Sequence, residues 1–278
     1  MPTFTTPEPL SATVEIEIGW ARIITGKRTD TVVQVTPSDR HNKRDVQAAE
    51  DTEVSCAGGR LLVKGPKKRA PFAKIGAVDV TVELPAGSEL IVSTGLGDII
   101  GEGHFGNCRL TTGAGNIRLD EATTVFLKTS HGDIVVERTT GATEIHASGR
   151  LRVGRVDADA TVKNLNGETA IGEVTGELRV TSSNGSIGVV RAESSVTAGT
   201  SSGSIRIDEV IRGRVSLESA AGGLEIGIAK GSAAHLDLES SVGRVRNELG
   251  MTRGPADSEE RVEVRGRTSV GDIVIRRA

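Results

Sequence analysis

From residue 89 onward the chain alternates apolar and polar residues in short runs that recur at a steady interval. In order they are STGLGDII, TTGAGNIRL, KTSHGDIVV, HASGRLRV, NLNGETAI, TSSNGSIGV, TSSGSIRI, SAAGGLEI, SSVGRVRN and TSVGDIVI. Each carries a glycine at the same place: Gly97, Gly115, Gly132, Gly149, Gly167, Gly185, Gly203, Gly222, Gly243 and Gly271. Successive glycines lie 18, 17, 17, 18, 18, 18, 19, 21 and 28 residues apart. A glycine-rich composition supplies glycines but not this interval, so the region reads as an array of repeats.

The columns around the glycine have strand character. Two residues after it stand Ile99, Ile117, Ile134, Leu151, Thr169, Ile187, Ile205, Leu224, Val245 and Ile273. Four after it stand Leu119, Val136, Val153, Ile171, Val189, Ile207, Ile226 and Ile275, with Gly101 and Asn247 as exceptions. A second apolar column lies five before it: Val92, Leu110, Leu127, Val162, Val180, Leu217 and Leu238. Period-two alternation of branched aliphatics marks strands with one face inward. A unit of this length cannot bury its own apolar stripe, whereas stacked copies can, each strand pairing with its equivalent above and below. The expected fold is all-β: a parallel β-solenoid of about ten coils, right-handed by the crossover preference, with the ten glycines as structural corner residues.

The flanks depart from this metre. Residues 1–88 still alternate, in TVEIEI, ARIIT, TVVQV, GRLLVKG and VDVTVELP, around a charged segment at 38–53 that predicts a short helix near 43–50. An open coil end exposes unpaired backbone, so 1–88 is expected to be a β-rich cap with irregular first coils. Residues 89–278 then form the repeat region, with a loop insertion at 247–262. The basic stretch 60–74 reads as a solvated hairpin. The C-terminal coil end is expected either to be covered by the 249–260 loop or to serve homo-oligomer formation, and Arg276 and Arg277, which read as charges that block an edge, favour the first.

Composition narrows the function. The 34 basic and 37 acidic residues nearly cancel, which argues against a nucleic-acid partner. Aromatic residues are 2% of the chain, too few for stacking platforms. The opening MPTFTTPEPL lacks the basic and apolar regions of a secretory signal, and no apolar run is long enough to span a membrane. Cys56 and Cys108 have no metal-ligand spacing and read as reduced strand residues, giving a cytoplasmic expectation.

The run VDVTVELPAGSEL (78–90) leading into TxxGDI and TxxGNI coils resembles the bacterial β-strand-repeat family labelled "putative adhesin", a domain of unknown function. TVEIEIGWARIITGKRTDTVVQV and VEVRGRTSVGDIVIRR look like actinobacterial members of that family. The resemblance spans essentially the whole chain and implies a β-solenoid with no known activity, no cofactor and no catalytic residues.

Short motifs favour bland readings. GTSSG (199–203) has the nucleophile-elbow spelling around Ser201, but Ser201 falls in a small-residue corner column with Ser183, Ser241 and Ser269. GEGHFG (101–106) has the dinucleotide spelling without a helix to open, and reads as a turn. The column after the glycine begins Asp98, Asn116, Asp133, but Arg150, Gly223 and Arg244 interrupt any calcium ladder. Asp98 and Asp133 are the best paired carboxylates for a carbohydrate-active solenoid, although turn-stabilising Asp and Asn are commonplace. His131 and His146 read as surface residues. Three before the glycine, Thr94, Thr112, Thr129, Ser182, Thr200, Ser219, Ser240 and Thr268 form a hydroxyl ladder, serving the corners if inward and a contact face if outward. The expectation is a non-enzymatic scaffold that binds a protein partner, with no metal or cofactor. A self-assembling rod and a carbohydrate-binding or carbohydrate-active solenoid are the alternatives.

Overall fold

The structure, a computed structural model, describes residues 1–67, 75–250 and 260–278. The remainder of the basic stretch and most of the expected loop insertion lie outside the described residues. The chain is a parallel β-solenoid, and divides into two compact units, Met1–Glu137 and Arg138–Ala278.

In the second unit the alternation seen in sequence becomes two files of parallel strands. One runs Thr143–Ala147, Ala160–Asn166, Leu178–Asn184, Val196–Ser202 and Gly213–Ala221. The other runs Leu151–Val156, Thr169–Val174, Ile187–Ala192, Ile205–Val210 and Leu224–Ile228. Pairing joins column to column, so Ile187 sits against Ile205 and Val189 against Ile207. All four are buried, each contributing roughly 1.5–3 kcal/mol by leaving water. Aliphatics of similar width stack without gaps, which is why this core forms without aromatic residues.

Nine of the ten repeat glycines take φ between +97° and +159°; Gly149 is the exception. Gly185 (φ +139°) shows why: a Cβ there would overlap the carbonyl of Gly167 in the coil beneath. The corner therefore needs both the positive φ and the close backbone approach.

The coils do not all stack in sequence order. Strand Gly213–Ala221 pairs with Glu260–Val270, and Leu224–Ile228 pairs with Ile273–Arg277. Coil 232–247 lies beyond them, its strands Ser232–Val242 and Val245–Asn247 pairing with that same C-terminal coil. The last coil in sequence is thus inserted between two earlier ones. Arg276 and Arg277 do not guard an edge, contrary to their expected role. Arg276 bonds to Glu225 (2.9 Å) and Asp208 (3.3 Å), and Arg277 donates to the carbonyls of Ala229 and Ser232.

The first unit repeats the device. Strand Ser11–Ile18 lies between Arg60–Lys64 and Glu89–Leu96, and Ala21–Gly26 lies between Val78–Pro85 and Ile99–Ala114. The outer strands there are covered by antiparallel partners: Glu53–Ala57 on Arg60–Lys64, and Asp30–Pro37 on Val78–Pro85. Helix Lys43–Glu50 forms where the charged segment predicts it, capped by Asn42, whose side chain accepts from Arg44 N–H (3.0 Å). Its buried Asp45 accepts from the backbone N–H of Ala77 (3.0 Å) and Asp39 (3.2 Å), tying the helix to the entry of strand Val78–Pro85.

GEGHFG is not a turn. It lies inside the single strand Ile99–Ala114, where Phe105 is fully buried. Gly101 interrupts the aliphatic column because the Phe105 ring and Leu119 fill its place. Asn247, the other exception, belongs to the exposed outer coil.

Candidate functional site

The hydroxyl ladder faces inward and serves the corners. Thr112 Oγ1 donates to the Gly97 carbonyl (3.0 Å) and Thr129 Oγ1 to that of Gly115 (3.0 Å). In the second unit Thr200 donates to Gly185 (3.2 Å), Ser219 to Gly203 (2.9 Å), Thr268 to Gly222 (2.8 Å) and Ser240 to Gly271 (2.8 Å). Each of these six hydroxyls thus holds the corner carbonyl of its neighbouring coil, whereas the buried Thr94 Oγ1 of the same ladder has no partner. Asn164 occupies the same column unnoticed in sequence, because its amide replaces a hydroxyl. Its Nδ2 donates to Gly149 (3.0 Å) and to Gly167 (3.2 Å). With the Gly167 carbonyl so engaged, the buried Ser182 Oγ next along has no partner. Thr200→Val should therefore cost about 1–3 kcal/mol by orphaning the Gly185 carbonyl. Ser182→Ala should be neutral or slightly stabilising. Urea unfolding of the two variants checks the contrast, and equal losses would refute it.

The column after the glycine is likewise structural where its bonds are described. Asn116 N–H donates to Asp98 Oδ1 (2.7 Å), and Asp133 N–H to Asn116 Oδ1 (2.9 Å). Farther on, Gly223 N–H donates to Ser204 Oγ (3.3 Å) and Arg244 N–H to Asp272 Oδ1 (2.9 Å). The Asp98 carboxylate is held in a backbone contact instead of facing an open cleft. Among the described residues no group of three or more His, Cys, Asp or Glu is arranged to hold a metal. Ser201 is exposed in strand Val196–Ser202, and a strand follows it, not the helix of a nucleophile elbow. His131 is exposed, and His146 bonds to Glu144 in its own strand (2.8 Å). Both cysteines are free thiols; burial pushes Cys108 up to about 12 and raises Cys56 as well.

Ion pairs between coils fall six residues after the glycine, a column whose charges alternate in the sequence. In the second unit Arg155, Glu173, Arg191 and Glu209 lie on successive coils with alternating sign. Arg155 bonds Glu173 (2.7 Å), and Arg191 pairs with Glu209. Arg155 and Arg138 together hold the Asp157 carboxyl below its usual range through hydrogen bonds. Exposed pairs contribute about 0–1 kcal/mol each, so their main effect is on register.

One outward face of these coils carries little bulk. Ala170, Gly172 and Gly188 leave a shallow trough of about 310 Å³, with Arg152 and Arg206 among the residues lining it and Val190 exposed in it. The lining is mostly apolar, and its Arg206 and Asp208 pair with each other (2.7 Å). Among the described residues no helix is long and apolar enough to cross a membrane.

Inward aliphatics, corner glycines and carbonyl-binding hydroxyls, repeated coil by coil, define a β-solenoid repeat protein. The chain belongs to the Toastrack DUF4097 family, whose model matches residues 13–276. It is similar to the crystal structure of a "putative adhesin" from Bacteroides fragilis, at 10% identity, covering 99% of this chain and 95% of that one with a TM-score of 0.37. A second so described, from Parabacteroides merdae, aligns at 11% identity over 99% and 94% of the two chains, TM-score 0.37. No curated protein matches the chain.

Proposed function

We propose that the protein is a non-enzymatic scaffold that binds a protein partner along an outward face of its coils. The observation that carries this is the trough around Val190. It is an accessible, nearly apolar strip on a rigid strand array, where Arg206 and Asp208 are engaged in ion pairs with each other and with Glu225 and Arg276 of other coils. Side chains that hold backbone or pair with each other are not poised to transfer a proton or attack a carbonyl. A rigid face loses little entropy on binding, and exposed apolar surface supplies the gain. A cytoplasmic address is part of the proposal, supported by the two unpaired thiols.

Affinity capture from native extract with the wild-type chain and Val190→Glu tests it. Wild type should retain a defined protein that the variant releases, while both unfold at the same temperature. Identical recoveries from the two chains, or none under several salt conditions, would count against the trough as the contact face.

A further inference from the structure

The floor of the Val190 trough holds two glycines with different reasons for being there. Gly172 is required by the fold, because a Cβ there would overlap the Gly154 carbonyl in the coil beneath. Gly188 is not. It lies within strand Ile187–Ala192, outside the positive-φ region, and an added Cβ would meet nothing closer than the Thr169 carbonyl at 4.0 Å. A mid-strand glycine weakens a strand, and is found at bulges or where another group approaches the backbone closely. Gly188 pairs in regular register with Ala170 and Arg206, so no bulge explains it. It leaves room for a group from outside the chain.

The outward column across the trough reads Arg152, Ala170, Gly188 and Arg206 on four successive strands of one file. With strands about 4.8 Å apart, the two arginines stand roughly 14 Å from each other with no bulk between them, a floor flat enough for a ring to lie face down. The first unit fills comparable places with its own aromatics. The Phe105 ring occupies the gap at Gly101, and the Arg109 guanidinium lies 4.3 Å from the centre of the Phe126 ring on the adjacent strand. Residues 138–278 contain no aromatic residue that could do the same. Charge then gives the trough a direction. Arg206 is taken up by Asp208 (2.7 Å) and Glu225 (3.5 Å), whereas the exposed Arg152 takes part in no described ion pair.

We propose that the trough receives an aromatic side chain of a partner protein, laid over Gly172 and Gly188 against Val190, with a neighbouring carboxylate of that partner on Arg152. This rests on the scaffold reading and specifies its partner. A ring meets a flat floor over its whole face and gives up only two torsions on ordering, and a guanidinium without an acid matches a carboxylate through two parallel hydrogen bonds.

Amide chemical-shift titration of the full chain tests it with three capped Gly-Ser peptides that carry Trp-Asp, Leu-Asp or Trp-Lys at the centre. Trp-Asp should give saturable shifts centred on Gly172, Gly188 and Val190, with Leu-Asp and Trp-Lys each bound roughly two- to tenfold more weakly. Gly188→Leu should block the peptide by filling the trough, and its melting temperature should stay level or rise, since the new side chain enters open space. Arg152→Glu should invert the charge preference, so that Trp-Lys binds better than Trp-Asp. Equal binding of Leu-Asp, indifference to the reversal at Arg152, or the lack of any saturable shift would each overturn the proposal. So would trough shifts that grow with protein concentration alone, because they would seat a second copy there. The two readings fail separately. A protein captured through Val190 whose retention needs no aromatic side chain defeats this inference alone, and an extract that yields no such protein defeats the scaffold reading.

Discussion

Replacing Gly185 by valine is expected to lower stability by about 3 kcal/mol or more, the largest loss from a single corner. Two costs add. The φ of +139° lies where a β-branched residue is strained by roughly 1–3 kcal/mol. The added carbons also meet the Gly167 carbonyl, a backbone group that can move only by lifting its coil, an overpacking cost of about 1–3 kcal/mol. The melting temperature should fall by roughly 5–10 °C. Two controls separate the terms. Gly231 has φ +86° but open space around it, so Gly231→Ala carries strain alone, on the order of 1 kcal/mol. Gly199 has no such φ, and its nearest neighbour to an added Cβ is 3.9 Å away, so Gly199→Ala should be neutral or stabilising by about 0.4–1 kcal/mol. Calorimetry of the three variants should rank them in that order; equal effects would remove the corner explanation.

The same physics explains what the sequence revealed. Columns at fixed offsets from Gly185 and its equivalents are visible because every coil solves the same packing problem with the same residue types. Hence the inward Ile187 and Ile205 and the helix at 43–50 could be read directly. Stacking order could not. Coil 260–277 and coil 232–247 carry the same period, and periodicity says what a strand packs against in kind, not which copy it meets. Gly101 was opaque for a different reason: its compensation, Phe105, lies outside the repeat's register. The hydroxyl ladder was legible as a column, yet its direction depended on the corner geometry that sets each hydroxyl beside a carbonyl. Asn164 stands out from a column of hydroxyls, although donating to a carbonyl needs only a polar hydrogen.

Stacking order leads to the second large effect. Removing residues 260–278 should abolish amide protection in coil 232–247, thirteen or more residues upstream, while coils from 160 to 192 keep theirs. In a solenoid stacked in sequence order that deletion would remove one terminal coil and leave coil 232–247 seated. Here strands Ser232–Val242 and Val245–Asn247 pair only with the deleted segment among the described residues. Their collapse onto coil 213–228 is opposed by side-chain fit. Leu238 packs over Gly266, where an added Cβ would come within 3.0 Å of it, and Gly266 in turn lies over Leu217. With the glycine layer gone, Leu238 would bear on Leu217, and Asn247 would be driven over the buried Ile226, leaving an amide in an apolar column. Hydrogen exchange of the truncated chain should therefore show coil 232–247 opening at almost no free-energy cost, with coil 213–228 losing protection along its newly bared edge. Retained protection in coil 232–247 would mean that it seats directly on coil 213–228, and that the inserted order is not what holds it.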